Sequence, residues 1–261
     1  MNIISIKNIN FNYGKKNDFS LNNISLDIGN NEFISILGAN GSGKSTLIKI
    51  AAGLIKPCSG TIKLYNNDLK NYKRNEIAKL IAYVPQLYYS VYPYTVFEIV
   101  MMGRNPHLGV FGYENKEDIE LVNDILEKVG IYNYRNKSIN EISGGEAQRA
   151  YIARALVQNA KIILLDEPNS HLDIKNEISL FKLLASLREK DNISIAIITH
   201  HLNLANFYSD NILILKRGEV LSYGKPEKIL TKQMIINCFE LSEDVNVLLN
   251  SENNTINLMP Y

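Results

Sequence analysis

Gly38-Ala39-Asn40-Gly41-Ser42-Gly43-Lys44-Ser45-Thr46 is the stretch on which the reading of this chain turns. Gly38 through Ser45 satisfies the spacing G-x-x-x-x-G-K-[ST], the pattern of a phosphate-binding loop. Its flanks agree. Phe33-Ile34-Ser35-Ile36-Leu37 is short and apolar, as a strand buried in a parallel sheet should be. Residues 45–54 then carry apolar side chains at Leu47, Ile48, Ile50 and Ala51, which predicts a helix. A strand, a glycine loop and a helix start aim backbone N–H groups and a positive helix end at one anion. Gly41 and Gly43 leave no Cβ between the backbone and that anion. Lys44 is placed to reach the outer phosphates of a nucleotide, and the Ser45 hydroxyl to ligate Mg²⁺, a hard ion that prefers oxygen. An ordinary glycine turn with a solvated lysine would not need both flanks.

Two more apolar runs end in polar residues. Ile162-Ile163-Leu164-Leu165 leads into Asp166-Glu167-Pro168, and Ile195-Ala196-Ile197-Ile198-Thr199 leads into His200. In open α/β sheets, ligands gather at the carboxyl ends of the strands. Asp166 is expected to hold the metal, directly or through water, and Glu167 to polarise an attacking water. Strict alternation would send these two carboxylates to opposite faces. Pro168 signals that the strand is already ending, which lets both reach the site. His200 is placed to contact a terminal phosphate, although a lone histidine is more often a satisfied core or surface residue. Ser143-Gly144-Gly145 precedes residues 146–157, where Ala147, Ala150, Ile152, Ala153 and Leu156 predict another helix. Its start is a second anion site. Taken alone it is only a capped helix. Two such starts for one nucleotide point to a chain that works as a pair.

In this order the motifs resemble the nucleotide-binding subunit of an ATP-binding-cassette (ABC) transporter, over roughly residues 3–240. The resemblance implies roles along the chain. Tyr13 matches the aromatic that stacks on adenine. Gly38, Ala39, Asn40, Gly41, Ser42, Gly43, Lys44, Ser45 and Thr46 match the Walker A loop. Gln86, in Tyr83-Val84-Pro85-Gln86, matches the Q-loop glutamine, which contacts Mg²⁺ and water and faces the membrane partner. Ser143, Gly144, Gly145 and Glu146 match the family signature. Asp166 and Glu167 match Walker B and its catalytic glutamate, Ser170-His171-Leu172-Asp173 the D-loop, and His200 the switch histidine. On this basis Glu167, His200, Lys44 and Gln86 are the expected catalytic residues, and Ser45, Gln86 and Asp166 the expected Mg²⁺ ligands. The implied fold is α/β, a P-loop NTPase core with an antiparallel β subdomain and an inserted helical subdomain. The implied assembly is a head-to-tail homodimer, each ATP lying between the Walker A loop of one subunit and the signature of the other. It would sit peripherally at the cytoplasmic face of the membrane, on two integral permease subunits served by an extracytoplasmic substrate-binding protein. Three positions depart from the family pattern: Ile142 for leucine, Asn169 for threonine or serine, and His201 for aspartate.

Composition sets bounds. The 261 residues suffice for one large domain, with a helical insertion expected over roughly 87–157 and an Asn-rich tail over 241–261. The chain is 46% hydrophobic but has no 18-residue apolar stretch, and its first residues lack a signal-peptide layout. A net charge of +1 gives no case for nucleic acid. Cys58 and Cys238 are expected to be free thiols. The segment Gly103-Arg104-Asn105-Pro106-His107 and the D-loop resemble the ATPases of iron-chelate (siderophore, haem) and cobalamin importers, although Asn105-Pro106 is also a plain helix terminator. Zinc, manganese or phosphate import is the competing cargo. A soluble, non-transport ABC ATPase is the competing class, but those usually carry two cassettes or a long coiled-coil insert. The aromatics Tyr88, Tyr89, Tyr92 and Tyr94, just after Gln86, are expected at the membrane-partner interface.

Overall fold

The computed structural model describes residues 2–14, 20–86, 92–108, 113–168, 172–241, 245–250 and 255–260. The apolar runs become strands, and the amphipathic segments between them become helices. In chain order the elements are β1 (Asn2–Asn12), β2 (Ser20–Gly29), β3 (Phe33–Leu37), α1 (Lys44–Ala51), β4 (Ser59–Leu64), β5 (Asn67–Asp68) and α2 (Arg74–Ala78). There follow β6 (Ile81–Val84), α3 (Val96–Met101), α4 (Lys116–Lys128), α5 (Gly144–Val157), β7 (Ile162–Leu165), α6 (Ile174–Asp191) and β8 (Ser194–Ile198). The chain continues with α7 (Leu202–Tyr208), β9 (Asn211–Lys216), β10 (Glu219–Gly224), α8 (Pro226–Ile229), α9 (Lys232–Phe239), β11 (Val245–Asn250) and β12 (Thr255–Pro260).

The central sheet has the order β10-β9-β3-β8-β7-β6. From β9 to β6 its strands run parallel, and β10 closes one edge antiparallel. Every residue of β3, β7 and β8 is buried, because layers cover both faces of this sheet. A second, antiparallel sheet, β2-β1-β4-β5, packs its apolar face with α1 against one side. The helices α3, α4 and α5, which lie between β6 and β7 in the chain, pack with α6 against the other side. No described helix is long and apolar enough to cross a membrane.

The parallel strands bring their carboxyl ends to one edge, which is where the site forms. The loop after β3 needs glycine at its first position. A Cβ on Gly38 would lie 2.3 Å from the Leu215 carbonyl oxygen and 2.6 Å from Ser42 Oγ.

The segment Gly103-Arg104-Asn105-Pro106-His107 is a latch inside the helical layer. Gly103 lets the chain approach α5 so closely that a Cβ would sit 2.1 Å from the Arg154 carbonyl oxygen. Arg104 donates to the Val157 carbonyl and to Asp118 of α4, each at 2.8 Å. His107 Nε2 lies 2.8 Å from the Gln158 carbonyl oxygen. His107 is thus half-buried and bonded, not a surface residue. Burial raises the Asp118 carboxyl, but the Arg104 hydrogen bond and the Asn115 backbone outweigh it and hold the group below its ordinary value.

The described part of the Asn-rich tail forms two strands. β11 and β12 form an antiparallel hairpin, and Val247 and Ile256 are buried with Leu202 and Ala205 of α7. Asn203 of α7 both donates to the Ile256 carbonyl oxygen at 3.0 Å and accepts from the Ile256 N–H at 2.7 Å.

Candidate functional site

The site grows from the loop between β3 and α1. Tyr13, Asn40, Gly41, Gly43, Lys44, Ser45, Thr46, Gln86 and Glu167 line one open cleft of about 570 Å³. Gly38, Ala39 and Ser42 complete the loop beneath it, and the Ser42 hydroxyl is buried with no hydrogen-bond partner among the described residues. The nine successive residues from Gly38 to Thr46 therefore present backbone, short polar side chains and one lysine, the composition of an anion cradle.

Lys44 is almost wholly buried. Its amine donates to the carbonyl oxygens of Gly38 at 2.9 Å and Ala39 at 3.1 Å, and lies 3.7 Å from Glu167 Oε1. Burial pushes the amine below its ordinary pKa, and the Glu167 charge works against that shift. A cation so poorly solvated is well placed for a partner of high negative charge.

Glu167 is the hub. One oxygen accepts from Gln86 Nε2 at 2.8 Å, and the other lies 3.1 Å from His200 Nε2. The expected escape from strand alternation is visible in the backbone. β7 stops at Leu165, and Glu167 adopts φ 46°, a left-handed conformation rare for a residue with a Cβ. That twist brings Glu167 round to the side that Asp166 already faces. Asp166 accepts from the Ser45 hydroxyl at 2.6 Å on one oxygen. Its other oxygen accepts from the Tyr83 hydroxyl at 3.0 Å. Burial and the Asp166 charge raise the Tyr83 phenol above its ordinary value, so the donor keeps its proton.

The oxygen donors of Ser45, Asp166 and Gln86 suit a small hard cation. Among the described residues no three His, Cys, Asp or Glu side chains gather as a metal cage. This donor set fits an ion such as Mg²⁺, which takes few protein ligands and fills its shell with water and phosphate oxygens.

Tyr13 follows β1 and is half exposed at the rim of the cleft. Its ring meets Phe11 edge-on at 4.8 Å, and its hydroxyl lies 3.1 Å from Thr46 Oγ1. The residue lines the cleft beside Asn40 and Gly41.

The residues Ser143 to Glu146 are not in the cleft lining. Ser143 caps α5: its Oγ accepts from the Glu146 N–H, and Glu146 accepts from the Ser143 N–H at 2.8 Å. A hydrogen bond from Tyr134 is the main cause that holds the Glu146 carboxyl below its ordinary value. Ser143 and Gly144 face solvent, so this helix start is open to a ligand from outside the chain's own cleft.

Asn169, Ser170 and His171 of the D-loop, and Tyr88 and Tyr89 of the aromatic run, lie outside the described residues. Asp173 caps α6 by accepting from the Asn176 N–H at 2.7 Å. Tyr92 and Tyr94 are exposed. His201, the departure next to His200, pairs with the buried Glu177 of α6 at 2.8 Å. Motif reasoning missed Tyr83 and Glu177. Tyr83 sits three residues before Gln86 on a strand that pairs with β7, which was the one available signal.

Comparison with known proteins agrees with this geometry. The profile of the ABC transporter family matches residues 21–170. An uncharacterised ABC transporter ATP-binding protein of Methanocaldococcus jannaschii is 41% identical over 87% of each chain. A petrobactin import ATP-binding protein of Bacillus anthracis is 36% identical over 89% of this chain and 86% of its own. Among solved structures, an inward-facing metal-chelate type ABC transporter superposes with a TM-score of 0.85, at 28% identity, over 100% of this chain and 98% of that one.

Proposed function

Since the chain belongs to the ABC transporter family and has its ATPase fold, we propose that it is the ATP-hydrolysing subunit of an importer for an iron chelate. It works as a homodimer on two membrane permease subunits, at the cytoplasmic face of the membrane, with a substrate-binding protein delivering the cargo. The observation that carries the enzymatic part is the convergence of Lys44, Gln86 and His200 on the single carboxylate of Glu167, beside Asp166 and Ser45.

The proposed roles follow from these positions. Tyr13 stacks on the base. The loop from Gly38 to Thr46 binds the phosphates, with Lys44 turning its amine from the loop carbonyls to the phosphate oxygens, a charge-assisted bond. Ser45, Asp166 and Gln86 would hold Mg²⁺, which would supply charge neutralisation at the phosphates. Glu167 accepts a proton from, or strongly polarises, a water held against Gln86, and His200 fixes the orientation of that carboxylate. The exposed start of α5 supplies the second anion site to the partner's nucleotide. Each ATP then joins two subunits, and its hydrolysis frees them. That cycle is what the permeases would harness.

The cargo reading rests on the petrobactin import relative and the metal-chelate type structure. The Gly103 to His107 segment is a packing latch, held to the Val157 and Gln158 carbonyls, and the cargo reading does not rest on it. The test is co-purification with the membrane subunits, reconstitution in vesicles, and uptake assays with ferric siderophores, haem, cobalamin, Zn²⁺ and Mn²⁺. ATP-dependent uptake of an iron chelate is expected, and Lys44→Ala should abolish it. Uptake confined to Zn²⁺ or Mn²⁺ would overturn the cargo reading but leave the ATPase reading intact. Unchanged ATP turnover in Lys44→Ala would overturn both.

A further inference from the structure

Tyr83 opens the stretch that carries Gln86 but has no role in the motif itself, yet its hydroxyl reaches the middle of the site. It lies on β6, in register with Leu164 of β7. Its ring helps to wall an open cleft of about 400 Å³, together with Leu54, Arg74, Ile77 and Gln158. The hydroxyl donates to Asp166 Oδ2 at 3.0 Å. The second oxygen of Asp166 is held by Ser45 at 2.6 Å. Both oxygens of this buried carboxylate are therefore fixed, one from α1 and one from β6.

We infer that Tyr83 is a positioning residue for the proposed metal site, setting the plane of the Asp166 carboxylate. The inference rests on the reading of Asp166 as a Mg²⁺ ligand. The torsion about the last bond of an aspartate is broad, so a carboxylate held at one oxygen can swing. A donor on Oδ2 removes that freedom and keeps Oδ1 turned toward Ser45. It also satisfies a buried acceptor that a phenylalanine ring would leave bare. Groups that orient a metal ligand in this way typically contribute about 10–100-fold to metal affinity or activity.

The same strand end carries Gln86, which holds Glu167. Asp166 and Glu167 are consecutive, and each is tied to one residue of the segment Tyr83-Val84-Pro85-Gln86.

The experiment uses the full chain with Tyr83→Phe, which keeps the ring and removes the hydroxyl. Mn²⁺ binding is followed by electron paramagnetic resonance in the presence of the non-hydrolysable analogue AMP-PNP. AMP-PNP affinity is measured separately in EDTA. Mn²⁺ should bind about tenfold more weakly or worse, while metal-free AMP-PNP affinity is unchanged. The Mg²⁺ concentration for half-maximal ATP turnover should rise by a similar factor, with turnover recovering at high Mg²⁺. If metal-free AMP-PNP affinity falls by the same factor, Tyr83 only supports the fold and the inference is overturned. Asp166→Asn separates the two layers of the argument. If it binds Mn²⁺ like the wild type, the metal reading fails and takes the inference with it. If it loses Mn²⁺ while Tyr83→Phe keeps wild-type affinity, the role of Tyr83 alone is refuted.

Discussion

Replacing Glu167 by glutamine removes one negative charge and leaves the shape of the site unchanged. The structure lets the consequences be worked through contact by contact. Gln86 donates to one oxygen of Glu167, so the amide of the variant must turn its carbonyl oxygen that way. Its NH₂ then faces His200 and Lys44. Lys44 loses an attraction whose gross size, at 3.7 Å and an effective dielectric near 20, is about 4 kcal/mol. Desolvation of this buried pair offsets most of that. The amine keeps the Gly38 and Ala39 carbonyl oxygens, so the loop should remain folded. The expected result is a protein that binds ATP but turns it over ~10²–10⁴ more slowly, the usual range for losing a general base. That is about 2.7–5.4 kcal/mol of transition-state stabilisation. Because the bridging ligand is no longer consumed, an ATP-dependent dimer should accumulate, a mass-action effect. Single-turnover phosphate release measures the first effect, and size-exclusion chromatography of the variant, alone and with its permeases, measures the second. Turnover within a factor of three of the wild type would refute the role of Glu167. Slow turnover with no dimer, even in the assembled complex, would refute the shared site.

Three further outcomes are expected. Tyr13→Ala should weaken ATP binding by about one to two decades, as loss of ~1–3 kcal/mol of stacking implies, while Tyr13→Phe, which keeps the ring and loses the part-buried bond to Thr46, should change it little; fluorescence titration with labelled ATP decides. Asp118→Asn should lower stability at neutral pH by about 1.5–3 kcal/mol, since Asp118 accepts a charged hydrogen bond from Arg104. The native carboxyl lies below its unfolded value, so its contribution is present above that value and is lost as pH falls through the lower, folded one; denaturation curves of the two proteins should begin to converge only below about pH 4. Gly103→Ala places a methyl 2.1 Å from the Arg154 carbonyl oxygen, so α5 must shift; the variant should melt earlier, and an unchanged melting curve would show that the latch is dispensable.

What the sequence disclosed was local. The loop after β3 was legible because its glycines, lysine and serine act within nine consecutive residues. Asp166, Glu167 and His200 were legible because each ends an apolar run, and parallel strands deliver their ends to one edge. Tyr83 was hidden because its bond to Asp166 crosses between neighbouring strands, 83 positions apart in the chain. The pairing of His201 with Glu177 was hidden for the same reason: the residue departed from the family pattern, but its partner lies on another helix. The pairing of β11 with β12 was not read from the Asn-rich tail, where the residues buried against α7 are Val247 and Ile256, too few to give a run. The segment from Gly103 to His107 carried a subclass resemblance, and the structure gives it a separate, mechanical reason to exist.

The left-handed backbone at Glu167 sets selection for robustness against selection for work. A residue with a Cβ is disfavoured in that conformation by roughly 1–2 kcal/mol, and glycine is not. Any search for a hardier protein, natural or in the laboratory, therefore meets an easy improvement at the one place where accepting it removes the carboxylate. A library ranked by thermal resistance should enrich glycine or asparagine at 167, and the same library ranked by ATP turnover should discard them. This position can persist only in lineages that are tested on what the protein does.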